Sequence, residues 1–155
     1  MAYHNIGTPR NPEIPGDPEP SAGLAETSGN PGHVGGQKTP TLRNVAKRKN
    51  HRFVKADAHN GWFKSLESIV HFYNTANVDG ATAASFGITR CPEDVVTEDE
   101  ALEYNCWPEP ENTGLLAVGL LIGDMGMSIE QEAALVAYMK TLSDIPTPRS
   151  RSPLP

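Results

Sequence analysis

The chain has 155 residues, a length that suits one domain. Nineteen acidic residues against thirteen lysines and arginines give a formal charge of −6, which argues against a nucleic-acid partner, because a phosphate backbone needs a basic face. Only 37% of the residues are apolar, and fourteen glycines and fourteen prolines imply many loops around a modest core that a cofactor, metal or disulfide would help to hold.

Met1-Ala2 leads straight into Tyr3-His4-Asn5-Ile6-Gly7, without the charged and apolar regions of a secretory signal. A cytoplasmic protein and a chain whose front has been removed both stay open. No apolar run is long enough to span a membrane. Residues 1–37 are dominated by Pro, Gly, Asn and Ser. Prolines 9, 12 and 15 disfavour helix at themselves and at the residues before them, so irregular loop is expected. Pro40-Thr41-Leu42-Arg43-Asn44-Val45-Ala46 reads as a short helical turn with Thr39 as cap, proline first, and Leu42 and Val45 inward. Arg43 is either a surface charge or a clamp on a carboxylate. With Arg43, the residues Lys47, Arg48, Lys49, Arg52 and Lys55 make a basic cluster suited to a solvated face, an anionic ligand group or an acidic protein.

His59-Asn60-Gly61 makes a tight turn. Ser65 then caps a helix running to about Asn74-Thr75, with Glu67 where the dipole favours an anion. Leu66, Ile69, Val70 and Tyr73 share one face. The Tyr73 phenol at the end of that stripe needs a partner, either a carbonyl or a metal. Residues 76–114 form a long acidic excursion, expected to be irregular apart from a short helix within Thr97–Tyr104, capped by Thr97 with Glu100 at the capping-box position. Cys91 and Cys106 bracket that helix. In an oxidising compartment they could pair and staple the excursion; in a reducing one they would be two buried thiols. The apolar run 115–122 fits strand or helix equally. The last helix is capped by Ser128 with Gln131, buries Leu135, Val136, Met139 and Leu142, and ends at Ser143-Asp144. Two solid helices, two short ones and no convincing strand predict an all-α, loop-rich fold over 1–145, with 146–155 as a disordered tail.

Nucleophile elbows, phosphate loops and H-E-x-x-H are absent. The five histidines make no i, i+4 ligand pair, and the acidic residues lack the spacing of a calcium loop.

Tyr3-His4-Asn5-Ile6-Gly7-Thr8-Pro9, then Lys38-Thr39-Pro40-Thr41-Leu42-Arg43-Asn44-Val45, then His59-Asn60-Gly61-Trp62-Phe63 through Phe72-Tyr73-Asn74, taken in this order, resemble the bacterial di-haem cytochrome c peroxidase and MauG family. Cys106-Trp107-Pro108-Glu109-Pro110-Glu111 and the closing helix look like the end of its second haem domain. The resemblance implies a cytochrome c-like fold, incomplete at its N-terminus, that holds haem c in the periplasm. It implies electron transfer and peroxide reduction by the complete protein, with a small cytochrome or a cupredoxin-like donor as redox partner. Tyr73 matches the family's axial-ligand position, methionine in typical peroxidases and tyrosine in MauG-like members. A phenolate favours ferric iron and lowers the potential. Arg43 matches the arginine beside the haem propionates, in a haem-contacting stretch that includes Pro40 and Leu42, and His59 matches the turn beside the haem.

The sequence departs from the family in lacking C-x-x-C-H, which lies upstream of Tyr3 in relatives. The resemblance therefore implies a portion that needs an upstream haem-bearing segment. Asp57-Ala58 stand where relatives read Tyr-Met, and Val54-Lys55-Ala56 stand at the family's calcium-binding Thr-x-Pro. A haem-free interaction or relic domain is the rival reading. Non-covalent haem uptake through Tyr73 and His59 is a third.

Overall fold

The computed structural model describes residues 2–16, 19–47, 56–114, 116–120 and 122–144. Most of the basic cluster and the expected tail fall outside them. Elements follow in chain order: β1 (Tyr3–His4), α1 (Leu24–Ser28), a 3-10 turn (Pro31–His33), β2 (Gln37–Lys38), α2 (Leu66–Thr75), α3 (Ala81–Phe86), β3 (Thr89–Arg90), α4 (Glu98–Glu103), β4 (Cys106–Trp107) and α5 (Ile129–Thr141).

The all-α expectation is corrected by two small sheets. β1 pairs antiparallel with β2, Tyr3 opposite Lys38. β3 pairs in parallel with β4, Thr89 opposite Cys106 and Arg90 opposite Trp107. Their physical reason lies in the prolines. Thr39, Cys91 and Trp107 each precede one, and a residue before proline is pushed to extended backbone. Two such segments meeting side by side pair their amides, although each strand is too short to show alternation. A parallel pair needs a crossover, and α4 supplies it. The Cys91–Cys106 disulfide joins the crossover's two ends, 15 residues apart.

Residues 1–37 are less irregular than expected, since α1 and the 3-10 turn lie there. α3 is a helix within the excursion, set between Gly80 and Gly87. The 40–46 stretch is a turn instead of a helix. Asn44 has φ 62, in the left-handed region, and Leu42 lies outward at 45% exposure, while Val45 packs inward. The apolar run 115–122 is neither strand nor helix over its described residues. It doubles back on itself, Val118 bridging Ile122.

Helix ends follow local chemistry. Ser65 accepts from the Ser68 amide, and Thr97 and Ser128 make complete capping boxes with Glu100 and Gln131. α2 buries two faces. Leu66 and Val70 meet Val136 and Met139 of α5, while Phe72 turns into a second cluster with Trp62, Phe63 and Trp107. In that cluster Phe72 packs edge-on to Trp107 at 5.2 Å and tilted against Phe63 at 5.0 Å. Both indoles are satisfied, Trp107 by the Thr75 hydroxyl and Trp62 by the Val96 carbonyl, each at 2.9 Å.

Candidate functional site

Tyr73 sits near the C-terminal end of α2, half-buried at the margin of the aromatic cluster, against which Val118 and Ile122 also pack. The loop after Ile122 is tied to this end of the helix. The Gly123 amide donates to the Tyr73 carbonyl at 2.7 Å, and the Asn77 amide donates to the Gly123 carbonyl at 3.0 Å. Gly123 has φ 92, and a Cβ there would lie 2.6 Å from the Asn77 nitrogen, so the close approach requires glycine. Leu120 and Met125 on the same loop are left 83% and 50% exposed. Burial pushes the Tyr73 phenol above its ordinary pKa, and no hydrogen bond pulls it back. The phenol is thus a half-desolvated oxygen without a protein partner among the described residues.

The other expected site residues are engaged. The Arg43 guanidinium grips Asp144, Nε at 3.3 Å from both carboxylate oxygens and Nη2 at 3.2 Å from one. Asn44 completes the clasp, donating to Asp144 at 2.9 Å and accepting from its amide at 2.8 Å. Arg43 is the clamp on a carboxylate that its planar fork suits, and the carboxylate belongs to the residues just after α5. Pro40 and Leu42 on the same loop are exposed. His59 pairs through Nε2 with Glu111. Asn60 donates to Glu111 at 3.2 Å and to the Pro9 carbonyl at 2.8 Å, so the 59–61 turn stitches the amino-terminal segment to the end of the excursion. Among the described residues no hydrogen bond or ion pair joins Arg43, His59 and Tyr73 to one another. Each has different neighbours: Asp144 for Arg43, Glu111 for His59 and the aromatic cluster for Tyr73.

Sequence reasoning missed two ionic features. His71 holds Glu132 of α5 at 3.0 Å, its ring against Phe86 and Trp107. Glu98 is a buried carboxylate that caps the start of the 64–68 segment, accepting from the Lys64 amide at 2.9 Å and from the Ser68 hydroxyl. Each pair spans 30 or more residues. No periodicity could have shown them.

As a haem site the residues fit in part. Tyr73 supplies a phenol oxygen with no competing hydrogen bond among the described residues. Covalent attachment does not fit, because both cysteines are spent on the disulfide. Among the described residues no cluster of three or more His, Cys, Asp or Glu side chains is placed to hold a metal ion, and no helix is long and apolar enough to cross a membrane.

No family model matches the chain, and no curated protein does. Among the solved structures that are similar is that of a MauG-like protein associated with microbial copper homeostasis, with TM-score 0.57 and 22% identity. The chain has a MauG-like fold. The likeness covers 94% of this chain and 35% of the other, so the chain spans about a third of that structure's length. At this identity the MauG-like likeness is one of fold.

Proposed function

We propose that the chain is a portion of a periplasmic c-type cytochrome of the peroxidase and MauG type, the portion that sets an axial oxygen beside a haem. Electron transfer and peroxide reduction belong, in this reading, to the complete protein, with a small cytochrome or cupredoxin-like protein as electron donor. The observation that carries the proposal is Tyr73, a half-buried phenol with no hydrogen bond among the described residues, at the end of α2 in a MauG-like fold. Desolvation opposes its ionisation in the chain alone. A ferric ion, if bound, would offset that cost, because a nearby cation favours the phenolate. Haem, when bound, supplies the one-electron chemistry. Tyr73 would hold its iron, and the apolar side chains of Val118 and Ile122 would keep water from the phenolate. Arg43 would reach a propionate only by exchanging it for Asp144. The thioether bonds would come from polypeptide outside these 155 residues. The disulfide supports an oxidising compartment such as the periplasm.

The test is co-production of the chain with a C-x-x-C-H-bearing segment and measurement of the Soret band. Tyr73→Phe should shift the band and raise the reduction potential; an unchanged spectrum and potential would sink the axial role. A haem-free interaction domain is the second reading, favoured by the disulfide and by the engagement of Arg43 and His59 elsewhere. A folded chain that takes up no haem, alone or with the added segment, establishes that reading instead.

A further inference from the structure

The last turn of α2 is held from β4. The Trp107 indole N–H donates to the Thr75 hydroxyl at 2.9 Å, and that hydroxyl donates to the His71 carbonyl at 2.7 Å. Tyr73 lies midway between His71 and Thr75, so the two bonds bracket it. Trp107 also packs edge-on to Phe72 at 5.2 Å and tilted against the His71 ring at 5.8 Å. Thr75 and Trp107 are both fully buried, and neither polar group can turn to water while the core is closed. Withdrawing one strands the other, which favours two states of the link, both groups bonded or both released. The hold on Trp107 comes in turn from β3 and the residue after it. The Trp107 carbonyl accepts from the Cys91 amide at 3.1 Å and from the Arg90 guanidinium at 3.2 Å. The Cys91–Cys106 bridge fastens these two-residue strands together immediately before Trp107.

We propose that Trp107 and Thr75 are positioning residues for Tyr73, and that the Cys91–Cys106 bridge makes their hold redox-sensitive. With the bridge closed, Trp107 stays on Thr75 and the turn keeps the phenol in one place. A dithiol reductant opens the bridge. Its thiolate attacks the sulfur of Cys91, which is half-buried where Cys106 is buried. The Cys106 sulfur leaves as a thiolate and takes a proton from water. The second thiol of the reductant then displaces Cys91 in the same way. Two electrons pass to the chain, two cysteine thiols form, and the reductant becomes a disulfide. Two-residue strands are too short to hold β4 by pairing alone, so Trp107 releases Thr75 and the turn loosens. Asn74 keeps the turn tied to Met127 and Glu132, which makes the change local. With Tyr73 read as the iron ligand, on which this rests, a loosened turn weakens its bond to iron.

The test is amide hydrogen exchange, followed by NMR, on the 155-residue chain with the bridge closed and after reduction with dithiothreitol. Reduction should speed exchange at Tyr73, Thr75 and Ala76 about tenfold and leave Val136 and Met139 of α5 unchanged. Thr75→Val with the bridge closed should give the same acceleration and leave reduction nothing to add. Thr75→Ser, which keeps the hydroxyl, should behave as the unsubstituted chain. No change at these three amides on reduction, an equal loss of protection across α5, or a full response to reduction in Thr75→Val would each overturn the proposal. Co-production with the C-x-x-C-H-bearing segment adds a readout at the iron. Cys91→Ala/Cys106→Ala should move the Soret band and the reduction potential toward those of Tyr73→Phe. If Tyr73→Phe moves them and the cysteine variant does not, the positioning role falls and the axial reading stands. If neither moves them, the axial reading falls, and the amides alone decide whether Trp107 and Thr75 hold the turn.

Discussion

Asn74 is fully buried and makes three hydrogen bonds. Its amide nitrogen donates to the Met127 carbonyl at 2.9 Å and to Glu132 at 2.6 Å, and its oxygen accepts from the Met127 amide at 3.0 Å. Asn74→Ala leaves the Met127 amide and carbonyl short of partners, while Glu132 keeps its bond to His71. Each buried group so stranded costs about 1–3 kcal/mol, and urea unfolding should show a loss at the upper end of that range. Its neighbour Tyr73 lacks any such bond, so Tyr73→Phe should change the stability of the chain alone by less than about 0.5 kcal/mol. A larger loss would mean that the phenol has a structural partner, and would count against its role as a ligand. The contrast was half legible in the sequence. The stripe ending in Tyr73 could be counted. Asn74 read only as a helix end, because its partners lie more than fifty residues on.

At the scale of elements, the capped helices were the most legible, because a cap is decided within four residues. Ser65, Thr97 and Ser128 all cap as their spacing predicts. Ser128→Ala should cost about 1 kcal/mol, measurable as a lower urea midpoint with unchanged slope. The strands were not legible, since two residues have no period and their pairing is decided by where the chain returns. α3 carried its own signals, a run of small helix formers between two glycines. It was missed because the acidic excursion around it has no amphipathic pattern. The pairing of Cys91 with Cys106 was open in the sequence and is settled by β3 and β4, which bring the two cysteines to a Cα separation of 4.9 Å. Reduction should cost about 3 kcal/mol in the chain-entropy account. Fluorescence of Trp107, adjacent to Cys106, should report the loosened excursion before α2 and α5 unfold.

For the molecule as a whole, two sets of carboxylates make stability respond to pH in opposite senses. Hydrogen bonds hold Glu100, Asp124, Glu130 and Asp144 below their ordinary pKa values. Their contribution is complete above the ordinary carboxylate range and is lost as pH falls through their lowered folded values. Burial holds Glu98 above its ordinary 4.5. Its protonated form is the one the fold prefers, so its contribution is complete below 4.5 and declines as pH rises through the raised value. Urea midpoints should therefore climb from strongly acid pH and then sag above 4.5. Glu98→Gln should remove the sag and leave the acid limb in place. A sag that survives the substitution assigns it to another group.

The amino-terminal segment is held by residues from the far end of the chain. Asn5 donates to the Asn112 and Gly114 carbonyls, its own carbonyl accepts from the Ala117 amide, and the Thr8 carbonyl accepts from Glu111. Separations above 100 residues mean that these contacts form only after most of the chain has been placed, since the loop must close before they reward it. Residues 5–8 are thus among the last of these 155 to settle. In kinetic terms, Asn5→Ala should speed unfolding in proportion to its full effect on stability and leave the refolding rate almost untouched.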